Sequence, residues 1–509
     1  MARTEFRWRE ALWAPVALLL SSAGSMALEI AAGRLMAPYV GMSLYSWTAI
    51  IAVVLAGLSI GHWIGGAMAD RTARPALWCG RVLLAAAALT FLSLFILRES
   101  AGFTLSTFAP LTAMSLLASL AFFLPSLAAG TLSPLLTKMA LDAAAPERRG
   151  RVLGRMFALG AAGAILGTVA SGFLFLSWVG SYGTVLSIAG LYAVLAAPVL
   201  ALPGRAAALG VVLAAAAGPS VFQDLRSPCD AESAYFCIRV DPTPAPVEAR
   251  VLALDHLAHS VNARTDPELI LSPYVQLVDE IVRRRFRGDR LDAFFVGGGA
   301  FTLPRAWDAG YAEGRMIAVE IDPAVTRAAR EALWFAPSPR LEILHGDARA
   351  VLQALPREPL FDVVFGDAFH DVAIPQHLVT DEMHAEIAAR LKPGGLYLVN
   401  VVEAQREPPF LLSLVVTLQR RFSHVELWID PSAVTAGEGR TTWVVAASDQ
   451  PTGLDRIRSR RGPSREWRRV PTEAMLRVLP AEELIVLTDD FAPVDRLMRH
   501  VLLDPALAE

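Results

Sequence analysis

The strongest constraint on this chain is how far its first 222 residues run without charge. Leu12–Ala32, Ser46–Met68, Val82–Leu97, Phe108–Leu132, Phe157–Val179 and Thr184–Leu202 are built mostly of Ala, Leu, Gly and Val. Folding in water offers no way to bury so many apolar runs, and their lengths approach or match what crosses a hydrocarbon layer. Residues 1–222 are therefore expected to be a multi-pass α-helical membrane domain. Arg3, Arg7 and Arg9 precede the first run in the manner of a secretory signal, but the runs that follow make it a retained first span. The fourth run has a kink expected at Pro125 and a helical extension to Met139. Ala206–Phe222 is a further apolar run near the lower length limit for a seventh crossing. Small residues spaced through the second and fifth spans fit close helix packing.

The short connections sort by charge. Asp70–Arg81 carries Arg71, Arg74 and Arg81, and Lys138–Arg155 carries Lys138, Arg148, Arg149, Arg151 and Arg155. The alternate connections, Pro38–Ser43 and Val179–Gly183, carry no basic residue. The positive-inside rule then places the N-terminus in the cytoplasm. Six spans would return the second half to the cytoplasm and seven would put it outside. Of the three cysteines, Cys79 belongs to a span as a small core residue, while Cys229 and Cys237 follow the last apolar run. They form a disulfide if that region faces an oxidising compartment, or stay two buried thiols. The net charge of −3 says little about partners, because it averages two unlike halves.

The second half reads as α/β. Leu291–Asp322, LDAFFVGGGAFTLPRAWDAGYAEGRMIAVEID, is a buried strand, a glycine turn, a helix from about Thr302, and a second strand ending in an acid. Gly297, Gly298 and Gly299 allow a sharp turn and a close ligand approach. Pro304 is tolerated in the first helical turn. In an open α/β sheet, ligands bind outside the carboxyl ends of the strands, where Glu320 could accept both ribose hydroxyls of an adenosine. Leu341–Leu344 then ends in His345-Gly346-Asp347-Ala348, and Asp362–Phe365 ends in Gly366-Asp367-Ala368-Phe369-His370-Asp371. Three successive strands thus end in an acid: Glu320, Asp347 and Asp367. Asp347 is placed to accept from an adenine amino group. Lys392-Pro393-Gly394-Gly395 turns into the strand Leu396–Val401, and His424–Ile429 could pair with Thr442–Ala447. Ahead of this core lie Ser227–Val240, a linker becoming a strand, the strand Val251–Leu254, and Asp266–Val282, which begins polar and becomes an amphipathic helix holding Tyr274. The expected division is 1–222 membrane domain, 223–290 linker and small β cap, 291–450 Rossmann-like nucleoside-binding domain, and 451–509 basic loop and tail.

VGGGAFT, VEIDP, HGDAR, FGDAF and LKPGG, in that order, resemble the spermidine synthase branch of the class I methyltransferase fold, over most of Val251–Ala447. With ALEIAAGRLMAPYVGMSLYSW in the first spans and LTDDFAPV near the C-terminus, nearly the whole chain resembles membrane-fused spermidine synthase-like proteins. The resemblance implies an aminopropyltransferase. Decarboxylated S-adenosylmethionine would give its aminopropyl group to an amine and release methylthioadenosine. It implies that Gly297, Gly299 and Glu320 hold the ribose end, that Asp347 with Ala348 contacts the adenine, that Asp367 accepts the amine proton, and that Tyr274 lines the substrate pocket. A sulfonium is already an activated leaving group, so no metal or tightly bound cofactor is required. The enzyme's work is alignment and proton removal. The chain departs from the family where the aspartate of GGGDGG is Ala300, the second aspartate after the catalytic one is His370, beside Asp371, and the early glutamine is His259. No clear counterpart of the later family tyrosine stands near Trp443. These losses put ordinary putrescine transfer in doubt. Two alternatives stay open: S-adenosylmethionine itself cyclising to methylthioadenosine and homoserine lactone, and a non-enzymatic nucleoside-sensing domain regulating a transporter-like membrane half. Methyl transfer fits the tail and the spans less well. The expected partners are the lipid bilayer and a small-molecule amine, or no acceptor, with a homo-oligomer left open and no nucleic acid. The expected location is the cell (inner) membrane. Its catalytic domain is expected in the cytoplasm, where adenosylated metabolites reside.

Several residues carry two readings. Glu29 and Arg34, charged at the first span, are a structural pair or part of a polar path. His62 reads as a packed residue. His370, His377 and His384 recur every seven residues, which would need a further ligand such as Asp371 to hold a metal. Arg456–Arg469 reads as a solvated, partly disordered loop, or as a contact with anionic headgroups. Asp489 and Asp490 are an acidic wall or a helix cap.

Overall fold

The computed structural model describes residues 2–200, 227–243, 247–369, 374–431 and 440–499. The chain divides into two compact units, Met1–Cys237 and Ile238–Glu509.

The first unit is helical: α1 (Ala2–Val40), α2 (Leu44–Arg71), α3 (Pro75–Thr107), α4 (Pro110–Ala118), α5 (Leu124–Asp142), α6 (Arg149–Ala170) and α7 (Leu176–Leu200). Among the described residues, five helical stretches are long and apolar enough to cross a membrane. The last of them, Pro146–Leu200, holds two expected spans, and its backbone leaves the helix at Gly180, where φ is +72°. The expected spans lie in these helices; the fourth begins at Pro110 rather than Phe108, and the last two residues of the sixth lie outside the described ones. The seventh run, Ala206–Phe222, lies outside the described residues. The kink expected at Pro125 takes the form of a π turn, Ser119–Phe123, immediately before it. Pro125 has no N–H to give back to the preceding turn, and the wider turn accommodates that gap.

Glycines set the helix contacts. A Cβ at Gly57 or Gly65 would lie 2.7 Å from the Phe123 carbonyl or 2.5 Å from that of Thr131, and one at Gly61 would strike the Leu127 carbonyl, all on the Leu124–Asp142 side of the bundle. On α6, Gly163 and Gly167 are equally tight against the Leu19 and Ala23 carbonyls of α1. This is the small-residue packing that lets helix backbones touch where no hydrophobic effect draws them together. Cys79 is fully buried, with its sulfur 3.6 Å from Met139 Sδ, as its position in a span suggests.

The second unit opens with antiparallel strands β1 (Cys237–Thr243), β2 (Ala249–Leu254) and β3 (Leu257–Ala263), the expected cap. The helix expected to follow the polar start of Asp266–Val282 is α8, Pro273–Arg285. Ser272 is extended because it precedes a proline, and Pro273 supplies the first turn. Then come β4 (Ala293–Val296), α9 (Thr302–Gly310), β5 (Met316–Glu320), α10 (Pro323–Ala332), β6 (Leu341–His345), α11 (Ala348–Ala354), β7 (Phe361–Gly366), α12 (Asp381–Ala388), β8 (Leu391–Ala404), α13 (Pro409–Leu418), β9 (His424–Ile429), β10 (Arg440–Ser448), β11 (Arg456–Arg458) and β12 (Glu466–Val470). They form one sheet in the order β11-β12-β9-β10-β8-β7-β4-β5-β6. From β8 to β6 the neighbours are parallel, and from β11 to β8 antiparallel. Lys392–Gly395 is not a turn ahead of a strand. It lies inside β8 as a register shift against β7, with φ of +75° at Gly394.

Arg456–Arg469 is not a loose loop but carries two paired strands. Its two strands pair with Ile457 opposite Trp467, both fully buried, while exposed arginines of the hairpin meet acids: Arg458 meets Glu466 at 2.7 Å and Arg469 meets Asp455 at 2.5 Å. Period-two alternation puts one apolar residue per strand into the core and leaves the charges in water.

Candidate active site

The chain runs β4 to β5 to β6 on one side of the sheet, then returns to place β7 on the other side of β4. Such a reversal opens a crevice at the carboxyl ends of the two strands, the usual ligand position of this architecture. The glycine turn follows β4, and Asp367 follows β7. Gly297 has φ of +96°, and a Cβ there would run into the Asp367 carbonyl, so the two strand ends close on each other only through glycine. Asp367 follows β7, Glu320 ends β5 and Asp347 follows β6, all at the carboxyl end of the sheet, with β4 and its glycine turn between the first two.

A cavity of about 270 Å³ opens here. Tyr274, His259, Gly298, Gly299, Asp367 and Asn400 are among its walls. Asp367 is the best-held group in it. Asn400 Nδ2 donates to Oδ1 at 2.9 Å and the Tyr274 hydroxyl donates to Oδ2 at 3.0 Å, with the His259 carbonyl 3.3 Å from the same hydroxyl. Burial pushes the Asp367 carboxyl up to about 6, although both hydrogen bonds favour its charged form. Tyr274 is raised well above its ordinary value by burial and by the Asp367 charge, so it donates as a neutral phenol. Burial pushes His259 down to about 4, leaving it neutral at physiological pH.

Glu320 is buried and turned onto the glycine loop. Oε2 accepts from the Gly298 and Gly299 amides at 2.9 and 3.0 Å, and Oε1 accepts from the Asp322 amide at 3.0 Å. Burial raises its pKa above the usual carboxylate value, and the three amides offset only part of that. A carboxylate has about four acceptor positions, so one remains open for a ligand hydroxyl. Asp347 caps α11, with Oδ1 on the Ala350 amide at 2.8 Å and Oδ2 against His377 Nε2 at 2.6 Å. Burial alone would raise it, but the Ala350 amide and His377 outweigh that and hold it below the usual carboxylate range. Ala348 is buried in the first turn of the same helix.

Other expectations land elsewhere. Ala300 is fully buried and is not among the cavity walls; its carbonyl accepts from Asn262 Nδ2 at 2.9 Å. His370 and Asp371 lie outside the described residues. His377 partners Asp347, and His384 is fully buried against Tyr397. Among the described residues, no three ligating side chains gather. Asp489 is neither pocket wall nor cap. Both its oxygens take Arg349, each at 2.6 Å, and one also takes Thr380 Oγ1, which pins the tail to α11 and α12. In the first unit, Arg34 does not pair with Glu29; it donates to the carbonyls of Tyr235 and Ser233. His62 lines a separate cavity between helices of that unit.

Asn400 was missed because LYLVNVV reads as an apolar strand. Only the pairing of β8 beside β7 brings it to Asp367. A lone polar residue inside such a strand is the signal that was available. Thr441 and Thr442 reach the cavity from β10 for the same non-local reason.

No protein-family model matches the chain. A curated polyamine aminopropyltransferase of Vibrio vulnificus (strain CMCP6) is 30% identical over 138 residues, covering 27% of this chain and 46% of the relative. A probable polyamine aminopropyl transferase of Bifidobacterium longum (strain NCC 2705) is 30% identical over 109 residues, covering 21% and 24%. The chain thus spans less than half the length of these curated relatives. Among solved structures, a probable spermidine synthase from Corynebacterium glutamicum superposes with a TM-score of 0.44 at 20% identity, covering 52% of this chain and 96% of that one. The spermidine synthase of Thermotoga maritima gives 0.33 at 18%, covering 43% and 72%. Over the matched residues the chain is similar in sequence to polyamine aminopropyltransferases, and by strand order its second unit is a Rossmann-like α/β domain that follows a unit of membrane-length helices.

Proposed function

We propose that the second unit is an alkyl transferase of the aminopropyl type, working on a decarboxylated adenosyl sulfonium and a small amine. The observation that carries this reading is Asp367, fixed by Asn400 and Tyr274 at the switch point of the sheet with its pKa near 6. The names of the curated relatives support the same class of transfer.

In the proposed step, the amine lone pair attacks the methylene next to the positive sulfur. The C–S bond breaks, sulfur keeps the electron pair as a neutral thioether, and methylthioadenosine leaves. The amine nitrogen gives its proton to Asp367. Anchoring both carboxylate oxygens fixes the line of approach, and alignment is the largest contribution a protein makes to such a displacement. A base of pKa near 6 is deprotonated at neutral pH and still receives a proton. Gly298, Gly299 and Glu320 would hold the ribose, and Asp347 with Ala348 the adenine.

Among the described cavity walls, Asp367 is the one anionic side chain, and His259 is neutral. The cavity therefore suits an acceptor presenting a single ammonium better than a diamine held at both ends. The bilayer as the setting of the first unit belongs to the same proposal.

The test is incubation of the purified full chain with decarboxylated S-adenosylmethionine and a panel of mono- and diamines, followed by mass spectrometry of all products. Methylthioadenosine together with an aminopropylated amine is expected. Methylthioadenosine and a lactone from S-adenosylmethionine alone would replace this reading by intramolecular displacement. Binding without turnover would replace it by ligand sensing.

A further inference from the structure

Charge distinguishes the two ends of the helical unit. Arg71 ends α2, Lys138 lies in the last turns of α5, and Arg149, Arg151 and Arg155 open α6. Arg3, Arg7 and Arg9 begin α1. Short turns make successive helices alternate in direction, so all of these belong to one end. The other end holds the turn at residues 41–43, the one at 108–109 and the break at Gly180. The basic end is the cytoplasmic one by the bias that orients membrane proteins.

The segment that leads out of this unit sits at the opposite end. Arg34, in the last turns of α1, donates to the carbonyls of Tyr235 at 2.7 Å and Ser233 at 2.8 Å. Glu232 accepts from the Ser181 amide at 2.8 Å and its hydroxyl at 3.0 Å, beside the Gly180 break. Ser227 donates to the same carboxylate at 2.8 Å. Within this short segment Cys229 is bonded to Cys237, and disulfides form and persist where the compartment is oxidising. The charge bias and the disulfide are independent observations: these hydrogen bonds hold the disulfide at the end opposite the basic one, so both assign that end to the extracytoplasmic side.

From Cys237 the chain passes directly into the second unit. No described helix beyond that point is long enough to cross back; the apolar Pro409–Leu418 is short of a span. We infer that the second unit faces the extracytoplasmic, oxidising side of the membrane, after an odd number of crossings. This replaces the cytoplasmic placement expected from the ligand. Bond formation takes two electrons and two protons from Cys229 and Cys237, passed by thiol–disulfide exchange to an oxidised dithiol carrier of that compartment.

A consequence rests on the proposed function. A permanently charged nucleoside sulfonium does not cross a bilayer unaided, so the reaction that supplies the substrate is a membrane transport step.

The placement is tested without any turnover, so its failure is distinct from failure of the transfer reading. In full-length protein with Cys79→Ser, single exposed cysteines are introduced by Glu147→Cys, on the basic end, or Glu358→Cys, on a surface turn of the second unit. Right-side-out and inside-out membrane vesicles are treated with a membrane-impermeant maleimide. The expected result is that E358C labels in right-side-out vesicles and E147C only in inside-out ones, while Cys229 and Cys237 react only after reduction. Labelling of E358C confined to inside-out vesicles overturns the inference. So does labelling of E147C from the outside, or reaction of Cys229 and Cys237 without reductant.

Discussion

At the scale of single residues, the site is a carboxylate whose two hydrogen bonds have opposite effects on catalysis and on charge. Asn400 and Tyr274 orient Asp367 and also stabilise its ionised form, partly offsetting the burial that lifts its pKa to about 6. Activity should therefore fall as pH drops through about 6, where Asp367 takes a proton. Replacing Asn400 with Ala removes one hydrogen bond to a charged acceptor, about 1.5 kcal/mol, which moves a pKa by about one unit. The direction is upward, since the lost bond favoured the charged form. The acidic limb of kcat/KM for N400A should thus shift to higher pH, and an unchanged limb would remove Asn400 from the site. Asp367→Asn should bind methylthioadenosine normally and turn over about 10²–10⁴-fold more slowly, the usual worth of a general base; stopped assays at saturating donor check it. Glu320→Gln should weaken methylthioadenosine about tenfold by calorimetry, about 1.4 kcal/mol, through both the open acceptor position and the looser glycine turn. What the sequence revealed at this scale is what is local. A glycine turn and an acid at each strand end follow from neighbours in the chain. Asn400 and the threonines of β10 do not, because which strand lies beside β7 is decided by the whole sheet.

At the scale of elements, close approach decides more than apolarity. The sequence shows that the helices are apolar, and their spacing follows from glycines placed four apart on α2. Gly61→Val would push a branched side chain into the Leu127 carbonyl, with no flexible atom there to yield. Overpacking of this kind costs about 1–3 kcal/mol, and G61V should melt earlier in detergent. Gly66→Val, where a Cβ meets nothing within 4 Å, is the matched control and should melt within a degree or two of the parent. An equal effect from both would show that helix propensity, not contact, is being measured. The arginine hairpin gives the complementary lesson. Its charges dominate composition over Arg456–Arg469, yet the fold there is set by the two residues that alternate inward, Ile457 and Trp467. Charge density alone reads as a loop. Only the period of the apolar residues reveals a strand, and two residues are too few to establish a period from sequence.

At the scale of the molecule, chemistry and cross-linking are segregated. Every residue assigned to the site lies in the second unit, whereas Cys229 and Cys237 close a loop of eight-residue separation at the end of the first. A loop this short still restricts the unfolded chain, by about 2–3 kcal/mol on the chain-entropy account. The joint variant Cys229→Ser with Cys237→Ser should therefore lower the melting temperature of the helical unit. Turnover by the second unit should remain, because the hydrogen bonds that hold Asp367 and Glu320 come from residues of that unit: Asn400, Tyr274, Gly298 and Asp322. Reductant supplies the internal check. It should lower the melting temperature of the parent by the same amount and leave the double variant unchanged. Loss of turnover in the variant at temperatures where it is folded would mean that the bond supports the site itself. Equal melting of parent and variant would mean that the hydrogen bonds of Arg34 and Glu232 already hold the segment without it.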